Sequence, residues 1–151
     1  MTLVPQLIAA RQRDGDEVWI GGGASRDQVI SLERALGTPL PPSYVSFLTE
    51  YGSIGIGDSF VSGIIDNNAL DETGGSTYGD TLEFRTRDEF PPGLIVIGKH
   101  EDGAYCLDTT RQTAGCEYPV VNFEFGSVQH ERPVASNFLE WLVGFQLGGE
   151  V

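Results

Sequence analysis

The chain has a single lysine, Lys99, and only nine Lys and Arg residues against 22 Asp and Glu, a formal charge of −13. The cations stand apart from one another: Arg11, Arg13, Arg26, Arg34, Arg85, Arg87, Lys99, Arg111 and Arg132. Without a basic stripe little can displace counterions from phosphates, which argues against nucleic acid as a partner. The same reasoning argues against anionic membrane surfaces. No run of 18 apolar residues occurs, so no membrane-spanning helix is expected. Residues 1–13 have no basic segment and their short apolar run is broken by Pro5. No secretory signal is therefore expected, and a cytoplasmic location is. The charge favours a basic protein as partner, since complementary charge speeds encounter and rejects wrong partners.

Cysteine is scarce too, with two residues. A turn within residues 110–115 sets Cys106 opposite about residue 120 and Cys116 opposite about residue 110, so the two are expected to miss each other and remain thiols. No CxxC or His/Cys cluster surrounds them, and neither a metal nor a cofactor is expected.

Familiar catalytic patterns are missing too. Gly23-Ala24-Ser25-Arg26-Asp27 lacks the last glycine of a nucleophile elbow, and Ser25 reads as a helix cap. Gly21-Gly22-Gly23 precedes a helix but no lysine follows, so it reads as a connector and not as a phosphate cradle. His130-Glu131 starts a zinc-helix motif that fails at Val134. His100, beside Glu101-Asp102, reads either as a turn histidine or as half of an acid/base pair. Asp66, Asn67, Asp71 and Glu72 lack calcium-loop spacing and read as a solvated loop.

What is present suffices for one domain over residues 1–151. A hydrophobic share of 40% and an aromatic share of 10% support a core, and chains of this size bury about 68–70% of their unfolded surface. A short helix is expected over 1–13, with Thr2 as cap, followed by a connector over 14–23. A second helix follows Ser25, whose three-residue spacing to Gln28 suits a capping box, and it stops at Gly37. A third starts at Leu40-Pro41-Pro42 and carries Tyr44, Phe47, Leu48 and Tyr51 at helical spacing. Phe60-Val61 and Ile64-Ile65 suggest a strand, 66–80 a loop, and 81–90 a short helix anchored by Leu82 and Phe90. The runs 94–98, 104–109 and 118–125 read as an antiparallel meander. A closing helix is expected over 136–147, capped by Ser136 and stopped by Gly148-Gly149. The class is α+β: N-terminal helices, a sheet meander, then a helix packed on the sheet.

The order of these anchors resembles the SMI1/KNR4 (SUKH) superfamily. The carriers are Glu33-x-x-Leu36-Gly37, Leu40-Pro41, Tyr44, Phe47-Leu48 and Tyr51-Gly52. They continue through 94–98, Asp102-Gly103, Tyr105, Leu107-Asp108 and 119–125, then Ser136-Asn137-Phe138-Leu139-Glu140-Trp141-Leu142, where one residue is inserted after Ser136. The resemblance spans residues 25–147 and departs from the family over 53–92. Glu33 is polar on a packed helix, which an ion pair or a hydrogen bond would explain. The resemblance implies a non-enzymatic binding module, similar in its bacterial branch to cytoplasmic immunity proteins that neutralise a cognate toxin, often a nuclease.

On that reading an acidic face docks on the cationic surface of a basic protein toxin. The candidate residues are Asp58, Asp66, Asp71, Glu72 and Asp80 on the long loop, and Glu101, Asp102 and Asp108 near the sheet turn. Trp19 is a candidate apolar anchor or a packed aromatic. Two other readings are a general intracellular scaffold or regulator, and a small hydrolase with carboxylates gathered around His100. Nothing in the sequence sets an oligomeric state.

Overall fold

The computed structural model describes residues 3–126 and 133–148. The Thr2 cap, the His130-Glu131 pair and Gly149 lie outside the described residues.

The helix signals near the N-terminus operate as expected. After α1 (Leu3–Arg13), helix α2 (Arg26–Leu36) is capped by the Ser25 hydroxyl, which accepts from the Gln28 N–H. Gly37 closes it at φ 78°, with its N–H donated to the Glu33 carbonyl. The reciprocal half of the capping box is replaced. The Ser25 N–H donates to Asn67 Oδ1 at 2.8 Å, and Gln28 Oε1 accepts the Ala69 N–H at 2.8 Å. The start of α2 thus pins the loop that follows residue 65. Glu33 Oε2 accepts the Leu40 N–H at 2.7 Å, a hydrogen bond that fixes the chain between α2 and α3 (Pro42–Glu50). The first turn of α3 is closed from a distance by Glu117, which accepts the Ser43 N–H at 2.9 Å and hydroxyl at 2.6 Å.

Two antiparallel sheets follow. The larger contains β4 (Leu94–His100), β5 (Gly103–Asp108), β6 (Val120–Glu124) and β7 (Pro133–Ala135) in that order. Alternation along the strands, interrupted at a bulge in β4, divides its side chains between two covered faces. Ile95, Ile97, Leu107 and Val120 join Leu32, Tyr44, Phe47, Phe138 and Trp141 on the face under the helices. Leu94, Val96, Cys106, Val121 and Phe123 meet Phe84 and Phe90 on the other. Cys106 lies opposite Val121 and is buried, whereas Cys116 is exposed at a turn; both are free thiols.

The smaller sheet orders β1 (Val18–Ile20), β2 (Ile54–Ile56) and β3 (Ser59–Val61). Strand β1 lies where a connector was expected. Ile64 and Ile65 are not in a strand with Val61. At Gly63 the backbone passes so close to Gly52 that a Cβ would sit 1.8 Å from the Gly52 carbonyl oxygen, and Ile64 turns wholly into the core. A bulge between Val96 and Gly98 frees the Ile97 carbonyl, which accepts the Ser62 N–H at 2.8 Å and joins the two sheets.

Two helix boundaries move. Helix α4 spans Thr77–Arg85, because Ser76 caps it by accepting the Gly79 N–H at 2.9 Å. Its anchor is Phe84 and not Leu82; Phe90 lies beyond the helix but is buried, 5.5 Å from the Phe84 ring. At the C-terminal end Asn137, the inserted residue, takes the capping role expected of Ser136, accepting the Glu140 N–H at 2.8 Å. Helix α5 (Phe138–Trp141) then widens into a π-helical turn, Leu142–Gln146. The wider turn carries both Leu142 and Leu147 inward and leaves Phe145 outward, 52% exposed.

Candidate functional site: an acidic aromatic groove

The small sheet presents its outer face to solvent, and a glycine shapes it. Trp19, Gly55 and Phe60 lie side by side across β1, β2 and β3. Side chains on strands two apart are normally about 9–10 Å from each other. With no side chain on Gly55, the Trp19 and Phe60 rings close over it and stack at 5.6 Å. A Cβ at Gly55 would come within 3.2 Å of the Phe60 ring. The Trp19 ring stacks on Phe60 and stays 47% exposed.

Acidic residues border this stack. The Gly57 N–H donates to the Glu17 carbonyl at 2.9 Å, which draws Glu17 alongside the Gly57-Asp58 turn. Glu17, Asp58, Trp19 and Phe60 share the lining of a cavity of about 600 Å³. Phe60 also lines a second cavity of about 360 Å³, with Asp58, Glu101, His100, Tyr105 and Phe145. It lines a third of about 270 Å³, floored by Ser62, Asp80 and Lys99. The three share Phe60 and adjoin one another around its ring, as a grooved surface between β1 and the end of β4.

Of the expected acidic residues, Asp58 and Glu101 line the second cavity together, and Asp80 lies in the floor of the third. Asp102 is exposed on the adjoining turn, beyond the lining of the cavities. Asp66, Asp71 and Glu72 lie on the 66–76 loop, outside all three cavities. Asp71 accepts the Thr73 N–H at 3.0 Å, and hydrogen bonds from Thr73 hold its carboxyl below the usual range.

Asp80 and Asp108 are corrections to the expected docking surface, because both are buried and internally engaged. Asp80, on α4, accepts the Ser62 hydroxyl at 2.7 Å and the Gly75 N–H at 3.3 Å, and pairs with Lys99 at 3.1 Å. Burial disfavours the Lys99 charge, but Asp80 and Glu83 outweigh it and hold the ammonium above the ordinary lysine range. Asp108 staples the turn after β5. It accepts the Thr110 N–H at 3.0 Å and hydroxyl at 2.6 Å, and pairs with Arg111 Nε at 2.8 Å.

Burial alone would push the Asp108 carboxyl up; the Thr110 and Arg111 contacts outweigh burial and hold it below the ordinary value. Its folded form therefore binds fewer protons than its unfolded form, and stability rises with pH across this window. The contribution is fully present above the unfolded value of about 3.9 and is lost as pH falls through the lower folded value. Asp108→Asn is expected to cost about 1–2 kcal/mol at neutral pH. Urea unfolding from pH 6 to pH 3 should show the gap between wild type and variant narrowing below about pH 4.

His100 is held at both ring nitrogens: Nδ1 accepts the Asp102 N–H at 3.1 Å, and Nε2 faces Asn122 Oδ1 at 2.7 Å. It clasps the β4–β5 turn to β6. Among the described residues, no three His, Cys, Asp or Glu side chains are grouped to hold a metal ion.

Sequence reading passed over Glu17, Gly55 and Phe145. The usable signal was Ile54-Gly55-Ile56-Gly57-Asp58-Ser59-Phe60-Val61, a glycine turn flanked by short apolar runs. The partner strand Val18–Ile20 is distant in sequence.

Among the described residues no helix is long and apolar enough to cross a membrane. A family model described as SMI1-KNR4 cell-wall, SUKH_5, matches residues 4–145. The uncharacterized protein YnaB of Bacillus subtilis (strain 168) is 25% identical over 122 residues, covering 78% of this chain and 73% of that protein. The Glu33, Leu40, Phe138 and Trp141 anchors therefore sit in a fold with known relatives, and the chain belongs to the SMI1/KNR4 (SUKH) family.

Proposed function

We propose that this protein is a cytoplasmic immunity protein that binds and neutralises a basic toxin of a polymorphic or contact-dependent system. The observation that carries the reading is the groove over Phe60, where exposed aromatic rings lie between Glu17, Asp58 and Glu101. Aromatic anchors inside a charged rim suit a protein interface: rings supply affinity, and carboxylates steer a cationic partner and set register. The overall charge of −13 acts in the same sense at long range. A binding role, rather than catalysis, fits the engagement of His100 with Asn122 and the Asp102 backbone.

The reading expects a toxin gene beside this one, and co-expression with that toxin tests it. Wild type should restore growth, and failure to do so would sink it. The doubly reversed variant Asp58→Lys/Glu101→Lys should associate about tenfold more slowly at low salt and lose most of its salt dependence. Stopped-flow association with the purified toxin measures both.

A further inference from the structure

We propose that the cavity between Trp19, Glu17 and Asp58 is an arginine-binding slot, in which a guanidinium of the partner lies on the free face of the Trp19 ring and pairs with the two carboxylates. This deepens the immunity reading and rests on it for the source of the arginine. The chain displays the same chemistry elsewhere. The Arg87 guanidinium lies 3.9 Å over the Phe125 ring, Phe125 is stacked on Phe84 at 5.6 Å, and Arg87 also pairs with Glu89 at 3.3 Å. That arrangement is an aromatic stack, a guanidinium on its open face and a carboxylate at the edge. Trp19 on Phe60, with Glu17 and Asp58 beside them, repeats the stack and the carboxylates.

No lysine or arginine of the described residues lines this cavity. Lys99, in the neighbouring part of the groove, is directed to Asp80 and Glu83 at 3.1 and 3.7 Å. Indole offers the strongest ring face for a cation, and arginine adds planar stacking and a fork that suits carboxylates. A lysine ammonium would match the charge but not the stacking. Gly55 leaves room for the platform: a Cβ there already presses on the Phe60 ring at 3.2 Å, and a branched side chain would crowd both rings.

The test uses the full chain, 15N-labelled, titrated with a short arginine peptide and with the same peptide carrying citrulline or lysine instead. The indole signals report separately, since Trp19 is half exposed and Trp141 is buried. The arginine peptide should shift the Trp19 indole and the amides of residues 55–60 saturably, with Trp141 unmoved. Citrulline should abolish the effect, and lysine should weaken it several-fold. Trp19→Ala, and separately Glu17→Gln/Asp58→Asn, should weaken binding about tenfold, whereas Asp66→Asn/Glu72→Gln should leave it within about twofold. Gly55→Val, with its fold checked by circular dichroism, should weaken it as Trp19→Ala does. Shifts spread evenly over the acidic loops, equal binding of lysine and arginine, or indifference to Trp19→Ala would overturn the slot. Toxin binding undiminished by Trp19→Ala removes the slot and leaves the immunity reading standing. Arginine-peptide binding at Trp19 without toxin neutralisation does the reverse.

Discussion

Lys99→Met is expected to lower stability by about 3 kcal/mol, because it leaves the buried Asp80 carboxylate without its cation. The Asp80 side chain is 2% exposed, whereas Lys99 is 38% exposed. The two halves of the pair are therefore unequal. Without Asp80 the ammonium still reaches water and Glu83; without Lys99 the carboxylate keeps, among the described residues, Ser62 and Gly75 as partners. Asp80→Asn should accordingly cost less, about 1–2 kcal/mol. The double variant should recover most of what Lys99→Met loses, since a neutral amide needs no counter-ion. For a chain of this length, 3 kcal/mol corresponds to roughly 6–12 °C in Tm. Thermal melts of the three variants check the order; equal losses in both single variants would show that the burial asymmetry has no energetic weight.

Phe138→Ala should cost about 3–5 kcal/mol, a large part of the total stability of a single domain. Phe138 is fully buried where α5 meets α3, with its ring 4.8 Å from Tyr44, 5.0 Å from Phe47 and 5.8 Å from Trp141. Truncation removes an aromatic side chain and leaves a cavity that the neighbouring rings on α3 and α5 cannot collapse to fill. Tyr44 in particular cannot follow, because its hydroxyl donates to the Ser62 carbonyl at 2.8 Å and lies 2.5 Å from Thr77 Oγ1. Urea unfolding should show a lower midpoint with an unchanged slope. A changed slope would mean that α5 had detached.

Much of the scaffold was legible because its signals are local. Ser25 and Gly37 mark the ends of α2 through groups on the same helix, and the β-branched run at 94–98 suits a buried strand. Glu33 was recognisable as a polar residue on a packed helix, and the Leu40 N–H supplies its reason. The groove was less legible. Asp58 was readable as a loop acid and Glu101 as an acid at a turn, but their neighbours Glu17 and Phe145 come from other parts of the chain. Asp80 and Asp108 looked like their equals in sequence and proved to be internal.

The one lysine and the surplus of carboxylates were in the sequence from the start, as were the caps, the meander and the family's anchors. Those features depend on residue type and on spacings of a few residues, which local backbone physics converts directly into helices and strands. Tertiary structure decided which carboxylates face solvent. Ser62, Gly75 and Lys99 meet around Asp80, and Thr110 and Arg111 around Asp108, so each carboxylate can be buried. It also decided that Trp19 and Phe60 stack, because strands of only three residues gain too little from their own composition and form where pairing over long sequence distances holds them.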